Sequence, residues 1–159
     1  MSFKKMSMVA GALSTAAALA FAAAPSASAA SGYQLQNKNG VCLGSKNGGN
    51  NTLAIVWGCN GNPDQTWNLV GDGSSWRVIN GNGQCLGLDG GTDGVHAVVW
   101  DCNGNPDQNW SYQQGSDGWG GLVNLGSGNC LGTQGGLSTP GTSAIQWGCN
   151  GNPDQLWSE

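Results

Sequence analysis

Charge, histidine and glutamate are all scarce in this chain, and each shortage removes a class of function. Only 9% of its residues are charged. With Lys4 and Lys5 of the N-terminal stretch set aside, the basic residues are Lys38, Lys46 and Arg77, scattered singly against 9 acidic ones. Nucleic acid and anionic membrane surfaces both reward clustered Lys and Arg, so neither is an expected partner. His96 is the one histidine and no Cys-x-x-Cys occurs. That leaves no ligand pattern for a structural zinc and no supported base for a Ser-His-Asp device, and neither metal nor cofactor is expected. Glu159 is the one glutamate. Glycoside hydrolysis sets two carboxylates across one bond, so a hydrolase here would have to draw both from aspartates in turns.

Long apolar runs are also missing beyond the first thirty residues, so no membrane insertion is expected. The N-terminus itself reads Met1-Ser2-Phe3-Lys4-Lys5, then an alanine-rich apolar stretch from Val9 to Ala24, then Ala27-Ser28-Ala29. A positive start, an apolar centre and a small-x-small cleavage site make residues 1–29 a secretory signal peptide. The apolar run is shorter than the ~20 residues that span a bilayer. The expectation is therefore a secreted protein whose residues 30–159 form one domain, a monomer, in a compartment where disulfides persist.

What the chain does have is 29 glycines, 8 tryptophans and 6 cysteines, and they fall into a repeat. Cys42-Leu43-Gly44, Cys85-Leu86-Gly87 and Cys130-Leu131-Gly132 each open a unit. Each unit closes on Trp-x-Cys-Asn-Gly-Asn-Pro-Asp-Gln-x-Trp, running from Trp57 to Trp67, from Trp100 to Trp110 and from Trp147 to Trp157. Three copies account for nearly all of the mature chain, so the repeat is the fold. Short runs such as Leu53-Ala54-Ile55-Val56-Trp57 and Ala97-Val98-Val99-Trp100, bounded by Gly, Asn, Pro and Asp, predict strands joined by tight turns. Six cysteines allow 15 pairings. The repeat favours Cys42 with Cys59, Cys85 with Cys102 and Cys130 with Cys149, at spacings of 17, 17 and 19. One unit cannot bury its own apolar face, so Leu43, Leu86, Leu131 and the closing Trp67, Trp110 and Trp157 are expected to share a core about an axis. Ahead of each first cysteine, Tyr33 with Leu35 and Trp76 with Val78 share a face; counted from the cysteine, Gly121 takes that place in the third copy, with Trp119 two residues earlier.

Gln65-Thr66-Trp67, Gln108-Asn109-Trp110 and Gln155-Leu156-Trp157, each behind a Cys-Leu and a Trp-x-Cys-Asn-Gly, resemble the Gln-x-Trp signatures of the ricin-type lectin family over residues 31–159. The resemblance implies an all-β fold, a β-trefoil of three pseudo-symmetric lobes with one disulfide inside each, and up to three shallow sugar pockets. It implies core roles for Trp67, Trp110 and Trp157. The aromatic two residues before the second cysteine, here Trp57, Trp100 and Trp147, would stack on a sugar ring, and Asp64, Asp107 and Asp154 would contact hydroxyls. An aromatic face beside a fixed acceptor suits the C–H patch and hydroxyl rim of a sugar. Against this stand core-filling roles for those tryptophans, turn-forming roles for the aspartates, and a turn role first for Asn60, Asn103 and Asn150.

The pattern departs from the family in two places. The aspartate common two residues after the first cysteine is Gly44, Gly87 and Gly132, and the glutamine two residues before the platform aromatic is Ile55, Val98 and Ile145, with Gln146 one place nearer. Two functions follow. One is a non-catalytic lectin engaging glycans or polysaccharide, galactose- or xylose-type, where several weak sites on one polymer raise avidity. The other is a secreted interaction or inhibitor protein that has lost sugar binding. A module attached to an enzyme is disfavoured because the sequence stops two residues after Trp157.

Overall fold

The computed structural model describes residues 32–158; the leader expected at 1–29 and Glu159 lie outside the described residues. Among the described residues every regular element is a short strand or a single 3-10 turn. Lobe 1 holds β1 (Gln36–Asn37), β2 (Cys42–Ser45), β3 (Thr52–Trp57) and β4 (Trp67–Asp72). Lobe 2 holds β5 (Ser75–Asn80), β6 (Cys85–Leu88), β7 (Ala97–Trp100) and β8 (Trp110–Gln114). Lobe 3 holds β9 (Gly120–Asn124), β10 (Cys130–Thr133), β11 (Ala144–Trp147) and β12 (Trp157–Ser158).

The first and last strands of each lobe close a barrel. Antiparallel pairs run β4 to β5, β5 to β8, β8 to β9, β9 to β12 and β12 to β1. A Tyr33–Trp67 bridge completes the ring between lobe 1's own ends. The middle strands of each lobe form the hairpins β2–β3, β6–β7 and β10–β11, which meet one another through the β3–β7 pair and the Ile55–Ser143 and His96–Ile145 bridges. A closed six-stranded barrel capped by a triplet of hairpins is a β-trefoil. Closure leaves the barrel strands no free edge, which short strands of this length could not otherwise protect.

The core lies where barrel and cap meet. Trp67, Trp110 and Trp157 are wholly buried, with Leu43, Leu86 and Leu131. Each indole Nε1 donates to the carbonyl of its own lobe's leucine, Trp67 to Leu43 at 2.8 Å, Trp110 to Leu86 at 2.9 Å and Trp157 to Leu131 at 3.0 Å. The largest side chains of the core thus enter it with their one polar atom paired. The three disulfides are Cys42–Cys59, Cys85–Cys102 and Cys130–Cys149, one to a lobe. Loops of this size each contribute about 3 kcal/mol in the chain-entropy account.

The third lobe corrects the register read from the cysteines. Trp157 pairs with Gly120, as Trp110 pairs with Trp76 and Trp67 with Tyr33. Gly120, and not Gly121, is therefore the third counterpart. The cause is one extra residue in the turn that follows. Asn37 and Asn80 sit five residues before their cysteines and Asn124 six before Cys130. All three do the same work: Asn37 Oδ1 accepts from Asn39 and Val41, Asn80 Oδ1 from Asn82 and Gln84, and Asn124 Oδ1 from Gly126 and Ser127. Gly120 needs its missing side chain, since a Cβ would come within 2.8 Å of the Tyr112 ring. The Tyr112 hydroxyl donates to the Trp157 carbonyl at 2.9 Å, so this ring covers the spot that an aromatic takes in the other two lobes.

Candidate functional site

Each lobe carries the same turn between its second cysteine and its closing tryptophan. In lobe 1 the Asn60 side chain accepts from the Asn62 N–H at 2.9 Å, and Pro63–Gln65 makes one 3-10 turn with proline pre-setting its first position. The turn buries Gln65, which then straddles Cys59: its Nε2 donates to the Gly58 carbonyl at 3.1 Å and its Oε1 accepts from the Asn60 N–H at 2.8 Å. Gln108 and Gln155 repeat both bonds, to Asp101 and Asn103 and to Gly148 and Asn150. The glutamine of the signature thus locks the strand end carrying the platform tryptophan to the turn carrying the aspartate. Asn60, Asn103 and Asn150 serve these turns through their side-chain oxygens.

The aspartate ahead of each glutamine points back over the glycine two residues past the first cysteine. A Cβ on Gly44 would stand 3.0 Å from Asp64 Oδ2, one on Gly87 2.9 Å from Asp107 Oδ2, and one on Gly132 2.8 Å from Asp154 Oδ2. The carboxylate missing from the cysteine side of the pocket is therefore delivered from the turn side, into the space the glycine leaves open. Sequence reading registers the three glycines as a lost contact while already setting Asp64, Asp107 and Asp154 against the hydroxyls; the direction of approach is what it lacks. The paired signal, glycine at one position and aspartate at the other in all three copies, is visible in the sequence once this approach is known. Asp154 is buried and accepts the Thr133 N–H at 3.2 Å; Asp64 and Asp107 are half-buried.

A concave pocket lies over each aspartate. Lobe 1's, of about 420 Å³, is walled by Trp57, Ile55 and Asp64, with Gly141 and Ser143 contributed by lobe 3. Lobe 3's, of about 400 Å³, is walled by Trp147, Ile145 and Asp154, with Gly94 contributed by lobe 2. Lobe 2's, of about 600 Å³, holds Trp100, Asp107 and Asp89, with Asn124, Gly126 and Ser127 contributed by lobe 3. Trp57 and Trp147 are each 48% exposed. Trp100 is less open and leans inward, its Nε1 lying 3.0 Å from the place of a Gly87 Cβ. Gln146, a near miss for the family's ligand glutamine, faces the interior and donates to the Gly90 and Thr92 carbonyls, both at 2.9 Å. It holds the lobe 2 loop that supplies Gly94.

Chemically, the lobe 1 and lobe 3 pockets offer an open indole face beside a carboxylate, while in lobe 2 the indole lies inward. Among the described residues no group of three His, Cys, Asp or Glu side chains is placed to hold a metal ion.

A closed barrel capped by three hairpins, with a tryptophan and an aspartate lining a pocket in each lobe, has the architecture of the β-trefoil lectin class. The chain belongs to the ricin-type beta-trefoil lectin domain family, whose model matches residues 31–157. It is similar in fold to the designed 3-fold symmetric protein ThreeFoil, with a TM-score of 0.76 at 22% identity over 79% of this chain and 95% of that one. It is similar also to the ricin B-like lectin of Macrolepiota procera, solved in complex with lactose, with a TM-score of 0.71 at 19% identity over 84% of this chain and 96% of that one. An exo-beta-1,3-galactanase from Clostridium thermocellum gives a TM-score of 0.77 at 25% identity over 81% of this chain; the match spans 30% of the galactanase. A search of curated protein sequences finds no match.

Proposed function

We propose that this chain is a secreted, non-catalytic carbohydrate-binding protein that grips glycans or polysaccharide, galactose- or xylose-type, through its Trp and Asp pockets. The observation that carries the reading is the pairing, in one pocket, of a half-exposed indole with a carboxylate oxygen standing over a glycine floor. Stacking supplies affinity for the C–H face of a pyranose, and the carboxylate accepts from two neighbouring hydroxyls. The alternative of a trefoil turned to protein interaction rests on Gly44, Gly87 and Gly132; the aspartates reaching into that space favour the carbohydrate reading over it.

The test is retention on insoluble xylan and on a glycan array. The wild-type chain is expected to bind, and Trp57→Ala, Trp100→Ala and Trp147→Ala together to abolish binding while leaving the melting temperature close to wild type. Binding unchanged in that triple variant would rule out the platforms. Export through residues 1–29 belongs to the same reading, and the N-terminal sequence of protein recovered from culture fluid checks it: a start near Ala30 is expected.

A further inference from the structure

The three pockets share a sequence but not a conformation, and the difference has a local origin. The residue six positions before each platform tryptophan sits at a positive φ, and in two of the three cases it is a glycine lying under the tryptophan of the next lobe. Gly141 (φ 89°) lies under Trp57, where a Cβ would stand 3.4 Å from the ring. Gly94 (φ 80°) lies under Trp147, where a Cβ would stand 3.5 Å from the ring. Both glycines are held by the same bond, Gly141 N–H to the Val56 carbonyl and Gly94 N–H to the Gln146 carbonyl, each at 2.8 Å. The corresponding residue facing Trp100 is Asn51 (φ 55°), in a loop joined to lobe 2 through the Thr52–Val99 pair.

In the glycine cases a Cβ alone would already touch the indole, and asparagine extends three further heavy atoms beyond its Cβ. A second feature unique to this corner presses the same way. Asp101 stands where the other lobes have Gly58 and Gly148, and its Oδ1 accepts from Asn50 Nδ2 at 3.1 Å, tying the loop to the residue next to Trp100. Trp100 has turned inward over Gly87. There its Nε1 and Asp107 Oδ2 are both buried, and neither has a hydrogen-bond partner among the described residues. The same indole that would form a platform thus covers its own lobe's carboxylate.

We infer that lobes 1 and 3 are the working carbohydrate sites and that the Asn50–Asn51 corner, with Asp101, keeps Trp100 folded inward by denying it a glycine shelf, so that the lobe 2 hollow, though the roomiest of the three, presents neither an open platform nor Asp107 Oδ2. This rests on the function proposed above and specifies it: a bivalent binder whose two sites each borrow a glycine from a neighbouring lobe. Two sites on a rigid body favour repeating polymers over isolated sugars through effective concentration.

The test uses the full chain and insoluble xylan. Trp100→Ala is expected to be retained as wild type is, Trp57→Ala with Trp147→Ala to lose retention, and Asn51→Gly with Asp101→Gly added to that pair to restore it. Full retention by the Trp57→Ala/Trp147→Ala variant, or its loss in Trp100→Ala, would overturn the inference. A readout without sugar separates this from failure of the carbohydrate reading itself: oxidation by N-bromosuccinimide, mapped by peptide mass. Trp57 and Trp147 are expected to react ahead of Trp100, and Asn51→Gly/Asp101→Gly to bring Trp100 level with them. Equal rates for all three in the unmodified chain would sink the proposed closure even if xylan is never bound.

Discussion

Six of the eight tryptophans fall into an inner and an outer trio, and their contrast shows how one residue type is held in two different ways within one repeat. Trp67, Trp110 and Trp157 are wholly buried and spend their Nε1 on a backbone carbonyl of the same lobe. Trp57 and Trp147 leave half their surface open and rest on a glycine of another lobe. The inner trio is fixed by bonds within a lobe and so is the same three times. The outer trio depends on a neighbouring lobe's loop, and so one member, Trp100, differs. Identity of sequence within a repeat guarantees identical conformation only for side chains whose partners lie in the same repeat.

The sharpest way to break this contrast is to remove one tryptophan from each trio. Trp157→Ala deletes a fully buried indole and leaves the Leu131 carbonyl without its donor, so a loss of about 3–5 kcal/mol is expected from urea unfolding. Trp57→Ala removes a ring that is only half covered and is expected to cost about 1 kcal/mol or less. Comparable losses in the two variants would show that the outer trio is structural. A smaller effect probes the link between the trios. Gln65→Ala leaves the Gly58 carbonyl and the Asn60 N–H unpaired beside Cys59, for an expected loss of about 1–3 kcal/mol. Since that clamp also sets Trp57 against Asp64, the variant should weaken lobe 1 binding under conditions where the fold is intact. Stability lost with lobe 1 binding unchanged would place the clamp outside the site.

The lobes, the pairing of the cysteines and, through the family resemblance, the trefoil were legible in the sequence because the same two motifs, Cys-Leu-Gly and Trp-x-Cys-Asn-Gly-Asn-Pro-Asp-Gln-x-Trp, recur in each unit. What escaped was set by something else. The third lobe's register was off by one because a turn between Asn124 and Cys130 holds one more residue, and counting back from a cysteine cannot see where in a loop the extra residue falls. Gly44, Gly87 and Gly132 read as lost carboxylates because the replacement arrives from twenty or so residues later, on a 3-10 turn whose direction only the fold supplies. The corner inferred to tilt Trp100 includes Asn50 and Asp101, which meet only when two lobes are assembled. Gln146 lay one place from a ligand position and, by strand alternation, on the opposite face, where it became a staple for a loop.

Trp119 belongs to neither trio and gives the finest test of the contrast, since it is a surface tryptophan whose partner is already present. Lys38 Nζ lies 5.9 Å from the centre of its ring and forms an ion pair with Asp117 Oδ2 at 2.9 Å, joining lobe 1 to the β8–β9 turn. The hydrogen bond from Lys38, and after it the Trp119 N–H, holds the Asp117 carboxyl below its ordinary value. A carboxyl depressed on folding contributes stability above its unfolded pKa and loses it as pH falls through the folded one. With both partners in solvent the contribution is slight and screened by salt. Lys38→Ala is therefore expected to raise the Asp117 pKa toward that of a free aspartate in a carbon-detected NMR titration, with no measurable change in melting temperature at pH 7 and none in retention on xylan. An Asp117 titration identical in the variant would mean that the ion pair is not formed in solution. A fall in xylan retention would instead place Trp119 and Lys38 among the sugar contacts, and the separation of surface tryptophans into binding and non-binding sets would have to be redrawn.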